Sequence, residues 1–349
     1  MKTTFISTLT LWKSTRSALP KMQADLAKAN EEIATGRYAD IGRELGYRVG
    51  GAISLRQERA ELDALKDGNA TVSLRLGASK VALDQVRSTA QDFLATLVSA
   101  PSRVVDGRAI ADAGKRNLQA FTAQMNKAVA GQFIFAGTNV KQQPVAEYES
   151  VPTSAAKSAV NTAFIAKFGF PQTDPAVSTI NPNDMRDFLR DNFAPLFEEP
   201  AWSTTWSSAT SQNIESRISP SEKIKTSANA NEAGFRKLAM AYTMASDLAL
   251  PNLSEETQAV VVSKMIEVLG AATTDVVQIQ ANLGAAEKKV TEANERISLQ
   301  RDLFDKKIIG LENVDPAEAK TRVDTLMTQI QMSYSLTSQL RQLSLINYI

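Results

Sequence analysis

The chain of 349 residues carries 39 basic and 38 acidic side chains, a net charge of +1, and contains neither histidine nor cysteine. Balanced charge gives no electrostatic reason to seek nucleic acid or an anionic membrane. The missing imidazoles and thiols exclude His-based triads and general bases, Cys nucleophiles, disulfides and His- or Cys-ligated zinc.

Apolar residues make up 43% of the chain but aromatics only 6%, so Ala, Val, Leu and Ile must supply the buried surface, as in long helices packed along narrow seams. At the N-terminus, Thr3, Thr4, Ser7, Thr8 and Thr10 interrupt what would be the apolar core of a signal peptide. No cleavable secretory signal is expected there, and nowhere is there the run of about 20 apolar residues that spans a membrane. Pro20 opens a predicted short helix with Met22, Leu26, Ala29 and Ile33 in line, closed by Thr35 and Gly36. Gly46, Gly50 and Gly51 lack the Gly-Lys-Ser/Thr of a phosphate loop and read as a flexible joint.

From Leu55 a heptad seam runs through Glu58, Leu62, Leu65, Asn69, Val72, Leu76, Ser79, Leu83, Val86, Ala90 and Phe93 to Leu97. A 3.5-residue period held this long predicts supercoiled helices. Asn69 begins a glycosylation sequon, yet its seam position reads better as a buried polar residue that sets register. After a turn at Pro101, a helix is predicted over about Gly107–Gly131, then a strand over Gln132–Ala136.

The heptads stop in the middle. Eight of the twelve prolines and two of the three tryptophans lie between Gly137 and Ala228, which reads as a small mixed or β-rich insertion. One helix is expected over Pro182–Phe197, with Phe188, Leu189, Phe193 and Leu196 on one side. Asp184, Asp187 and Asp191 share a face there, but Arg186 and Arg190 interleave them, giving a solvated charged face rather than a cation site. Glu198 and Glu199 are consecutive and do not converge for acid–base work. Trp202 and Trp206 are expected to fill the core of the insertion rather than stack a ligand. Ile214–Ile218 and Lys223–Ser227 flank Ser219-Pro220-Ser221 as a loose hairpin.

A second seam follows: Val262, Met265, Leu269, Ala272, Val276, Ile279, Leu283, Ala286, Val290, Ala293, Ile297, Gln300 and Phe304, with Gln300 its one polar member. Ser254 caps this helix, Glu255 and Glu256 sit in its first turn, and Gly310 ends it, for a rod of roughly 80 Å. Asp315 and Pro316 start a last helix, with Glu318 in capping-box position and Val323, Leu326, Ile330, Tyr334 and Leu340 as its stripe. The order is nested, so the two ends should lie side by side. The fold expected is mainly α: a long antiparallel, coiled-coil-like helical rod with paired terminal helices and an inserted domain. Its parts are a terminal pair (1–45 and 310–349), a rod (46–136 and 229–309) and an outward-facing insertion (137–228).

Four passages of this chain resemble the bacterial flagellin family. They are Glu32-Ile-Ala-Thr-Gly-Arg37, Gly131-Gln-Phe-Ile-Phe-Ala-Gly-Thr138, the block Ile279–Gln300, and the ending Leu343-Ser-Leu-Ile-Asn-Tyr-Ile349. The family's Asp-Asp-Pro loop after the first passage is replaced by Tyr38–Tyr47. Within the family the chain is most similar to the hook-associated proteins that join hook to filament. The resemblance implies a structural subunit, not an enzyme, exported by the flagellar type III route to the extracellular flagellum. It implies as partners copies of itself, a hook-associated protein on the hook side, flagellin on the filament side and an export chaperone. No catalytic, cofactor or metal residue is expected, and neither nucleic acid nor membrane. Subunit contacts are expected at Met22, Leu26, Ile33, Val323, Leu326, Ile330, Tyr334 and Leu340. The alternatives are a filament flagellin, a coiled-coil tip or translocator protein of a type III secretion apparatus, and an enzyme built on the insertion.

Overall fold

The computed structural model describes the backbone of residues 8–99 and 106–346 and the side chains of residues 17–99 and 106–339. The chain divides into two compact units, one formed by Met1–Asp63 with Ser298–Ile349 and the other by Ala64–Ile297. Both boundaries fall inside long helices: α3 (Val49–Ser99) and α9 (Glu255–Glu312) each contribute to both units. No helix among the described residues is long and apolar enough to cross a membrane.

In the larger unit the seams behave as their period predicts. Val72, Leu76, Leu83, Val86, Ala90 and Phe93 of α3 share one core with Met265, Leu269, Ala272, Val276, Leu283 and Val290 of α9. The helices run antiparallel, as Lys80 Nζ to Glu287 Oε2 at 3.1 Å and Gln280 Nε2 to Asp84 Oδ1 at 2.8 Å require. Asn69 is fully buried in this seam. Its Nδ2 donates to Asn294 Oδ1 at 2.8 Å and to the Ile218 carbonyl at 2.9 Å. A slip by one turn would leave these buried groups unpaired, which is how a polar seam residue holds register.

The same core continues through α4 (Gly107–Met125), α8 (Ala233–Asp247) and the segment between them. Asp106 caps α4, accepting from the amides of Arg108 and Ala109 at 3.1 Å. α4 and α8 cross closely at Gly114, where an added Cβ would lie 2.4 Å from Ala245 Cβ and 3.1 Å from the Tyr242 carbonyl. Gly114→Ala is therefore expected to push the helices apart and to cost about 1–3 kcal/mol by overpacking. Thermal unfolding of the purified variant measures this, and an unchanged midpoint would show the crossing to be loose.

Three predicted elements of this unit differ. α4 ends at Met125, six residues before Gly131. Asn126 leaves the helix to trade hydrogen bonds with Val145, donating to its carbonyl at 2.8 Å and accepting from its amide at 2.9 Å. The strand at 132–136 shrinks to a two-residue pairing of β1 (Ala128–Val129) with β2 (Gln132–Phe133). Its turn is made by Ala130 and Gly131, both at positive φ. Beyond it the backbone turns to other partners: the Ala230 amide donates to the Phe135 carbonyl at 2.8 Å. The helix over 182–197 exists but changes winding twice, from α6 (Pro182–Phe188) through a π turn (Leu189–Phe193) to a 3-10 turn (Ala194–Phe197). Pro195 has no amide to continue an α-helical ladder, and the wider turn brings Phe188, Leu189 and Phe193 all inward.

Two short helices flank that stretch, α5 (Ala155–Phe168) before it and α7 (Ala201–Thr205) after it. The hairpin forms as expected, β3 (Glu215–Ser219) against β4 (Glu222–Lys225), antiparallel with a bulge at Arg217 to Ser219. Trp202 and Trp206 are buried and stacked on each other, centroids 5.4 Å apart.

In the smaller unit, α1 (Thr8–Thr35) packs against α10 (Pro316–Ile346), and α2 (Ile41–Leu45) leads through a 3-10 turn into α3. Pro20 lies inside α1 and does not open it. It withdraws one amide from the ladder while the turns on either side keep theirs. Gly310 does not end α9, which runs on to Glu312. Glu312 is completely buried, and its place at the helix end is held by the partners described next.

Candidate assembly interface

Along α10 the buried positions Ala319, Val323, Ile330 and Ser333, with half-buried Leu326 and Thr337, recur in steps of three and four. On α1 the covered positions are Ala29 and Glu32, both buried, with Met22 and Leu26 half-buried. The two helices run antiparallel, since Gln23 Nε2 donates to Tyr334 Oη at 3.1 Å while Arg322 Nη1 reaches Glu32 Oε2 at 3.2 Å. Small Ala29 and Ala319 let the helices approach, and the seam is closed by polar groups as well as apolar ones.

Where α1 and α9 end, the two arms of the chain are stitched by backbone. Gly36, at φ 70°, turns the N-terminal arm. Arg37 and Asn313 form an antiparallel bridge, the Tyr38 amide donates to the Glu312 carbonyl at 3.0 Å, and the Val314 amide donates to the Gly36 carbonyl at 3.1 Å. Asp315 then starts α10, its carboxylate accepting from the Ala317 amide at 2.8 Å. Glu318 does not close a capping box and instead pairs with Arg322 at 3.5 Å.

Two buried glutamates lock this crossing reciprocally. Glu32 of the N-terminal arm accepts from Arg322 of the C-terminal arm at 3.2 Å and from the Ala39 amide at 3.2 Å. Glu312 of the C-terminal arm accepts from Arg56 of the N-terminal arm at 2.6 Å, with Arg37 at 3.9 Å. A carboxylate this buried is tolerated only when paired. An apolar stripe by itself points to neither residue. The signal was present: Glu32 falls three residues after Ala29, on a position that a purely apolar stripe would fill.

The predicted contact residues thus separate. Val323 and Ile330 are buried in the unit, Met22, Leu26 and Leu326 are half-buried, and Ile33 and Tyr334 are exposed at 43% and 53%. The Leu340 side chain lies outside the described residues.

The remaining candidates are ordinary structure. Arg190 pairs with Asp187 at 2.9 Å and Asp191 at 2.7 Å, and its hydrogen bond holds the Asp191 carboxyl below the usual range. Glu199 accepts from Ser203 Oγ. Asn69 is buried within the seam and out of reach of a glycosyltransferase. Tyr148, stacked on Trp206, donates to Asp247 at 2.6 Å. Burial pushes the Asp247 carboxyl up, against the pull of that hydrogen bond.

Comparison with known proteins finds matches toward both ends of the chain. Residues 6–140 match the bacterial flagellin N-terminal helical region, and residues 266–349 match the bacterial flagellin C-terminal helical region. The fold is similar to a solved structure described as a flagellar hook-associated protein from Vibrio parahaemolyticus. That likeness has a TM-score of 0.51 at 10% identity and covers 75% of this chain and 96% of the other. No curated protein sequence matches the chain.

Proposed function

The chain belongs to the bacterial flagellin family, a family of structural proteins, and from that premise we propose that it is the flagellar subunit joining hook to filament. One observation carries the reading. Among the described residues, ten of the sixteen large apolar side chains left exposed lie in the smaller unit, Tyr47, Ile53, Leu299, Leu303, Met327 and Tyr334 among them. Apolar surface concentrated on the minor part of a molecule marks a face that another protein covers.

In this reading the Glu32 and Glu312 locks set the terminal pair in advance, and its outward side chains, Ile33 and Tyr334 included, dock onto neighbouring copies. Head-to-tail contacts of this kind build open helical arrays. Residues 46–136 with 229–309 form the stiff part and residues 137–228 face outward. A hook-associated protein lies on one side and flagellin on the other, and a chaperone covers the apolar faces before type III export. The hook-associated description of the solved structure with a similar fold favours the junction over the filament.

Purified protein incubated with isolated hooks and viewed by electron microscopy tests the proposal. A layer of limited height on hook ends, with the free protein monomeric, is the expected result. Long filaments from the protein alone would instead identify a filament flagellin. Bare hooks would sink the junction reading.

A further inference from the structure

In the larger unit α8 ends on a charge that its position disfavours. Asp247 is the last residue of the helix, where carbonyl oxygens gather and a carboxylate is repelled. It is half-buried. Its Oδ2 accepts from Tyr148 Oη at 2.6 Å, and Tyr148 is 3% exposed. Lys157 of α5 acts on this carboxylate too, but its Nζ is engaged by Glu149 at 2.7 Å. Lys115 of α4 shares with Glu147, Tyr148, Glu149 and Ser246 the wall of an adjoining cleft of about 350 Å³. α8 itself carries no charge between Lys237 and Asp247, and the turn after it, Leu250–Asn252, brings none.

The contact joins the insertion to the rod helices. Tyr148 belongs to the segment 143–149, which is tied to α4 by the Asn126–Val145 bonds and to Trp206 by the Ala146 amide. We propose that Tyr148 and Asp247 form a proton-operated latch: this segment seats on the end of α8 with uptake of a proton at Asp247, and holds more firmly in mild acid than in mild alkali. Burial pushes the Asp247 carboxyl up and outweighs the pull of the Tyr148 hydrogen bond and of Lys157, while Glu149 pushes it up again. The Tyr148 phenol is itself pushed up, by burial and by the carboxylate, so it stays a donor to either form. A protonated Asp247 keeps an oxygen for Tyr148 and no longer sets a charge against the helix end and Glu149. The linked stability is present in full below the ordinary carboxylate value of about 3.9 and is lost as pH rises through the higher value in the fold. Paired carboxylates behave in the opposite sense, losing stability as pH falls.

Asp247→Asn copies the neutral form and can still accept from Tyr148. As the full chain it should melt about 2–4 °C above the native protein at pH 8. That gap should close as the pH is lowered, to almost nothing at about pH 4. Only the difference is read, so the other carboxylates, common to both chains, cancel. A gap that stays constant from pH 8 to pH 4, or a variant that melts below the native protein at pH 8, overturns the latch. The native protein gives a second reading that needs no variant. The Val145 and Ala146 amides donate to Asn126 Oδ1 and to the Trp206 carbonyl, each at 2.9 Å. Corrected for intrinsic rates, both should be better protected from hydrogen exchange at pH 5 than at pH 8, a range above the titration of ordinary carboxylates. Equal protection, or weaker protection in acid, would also overturn it.

Discussion

Trp206→Ala is expected to lower the stability of the larger unit by about 3–5 kcal/mol, the usual cost of removing a large buried aromatic side chain. Trp206 is 1% exposed and stacks between Trp202 at 5.4 Å and Tyr148 at 5.2 Å, both nearly parallel to it, with Phe197 tilted against it at 5.4 Å. The residue also anchors backbone, since the Ala146 amide donates to its carbonyl at 2.9 Å. Its loss would leave a cavity beneath the Tyr148–Asp247 hydrogen bond. Against a total stability of about 5–15 kcal/mol for a domain, that fraction is large enough to show at physiological temperature. Near-UV circular dichroism during heating should reveal an early loss of tertiary signal in the variant. Trp206→Phe should recover part of the midpoint by keeping a stacked ring. A variant with the native midpoint would mean that the stack is not part of the core. It would also reopen a ligand-stacking role, which burial of both tryptophans otherwise excludes.

The second large effect concerns the terminal lock. Arg56→Met should destabilise the smaller unit toward the lower end of about 3–5 kcal/mol, because it strands a buried carboxylate. The lower end is expected since the Arg56 side chain is 49% exposed and Arg37 remains 3.9 Å from Glu312. Glu312→Leu should cost less: its arginine partners are half exposed and can turn to water, whereas the carboxylate cannot. Arg56→Met combined with Glu312→Leu should therefore be more stable than Arg56→Met alone. Hydrogen exchange of the amides at Tyr38 and Val314, which span the two arms, reads the lock locally. Equal exchange in the single and double variants would show that no coupling passes through this pair.

Much of this protein could be read from local pattern. The α3 and α9 seams follow from a repeat of apolar residues every 3.5 positions, and a period is a property of neighbouring residues alone. Ser254 and Asp315 were visible as helix starts for the same reason: a cap acts on amides within its own turn, as their bonds to Thr257 and Ala317 show. The antiparallel pairing of the arms followed from the nested order of elements, and Asn69 stood out as a polar residue on an apolar seam.

What tertiary structure decided depends on partners far away in sequence. α4 stops at Met125 because Asn126 finds Val145, and α9 passes Gly310 because Glu312 finds Arg56, 256 positions away. Gly137 illustrates the same point within a passage that resembled the flagellin family. It sits at φ +63° with a would-be Cβ 2.2 Å from the Thr210 carbonyl, so the approach of a distant loop, not the local sequence, leaves no room for a side chain there. The terminal stripes are the sharpest case. Periodicity marks Val323, Ile330 and Tyr334 alike as one face, and only packing against α1 divides that face into a covered part and an open one. Hydrophobic pattern states which residues seek burial; the geometry of the neighbour determines which of them obtain it within a single chain and which are left for another.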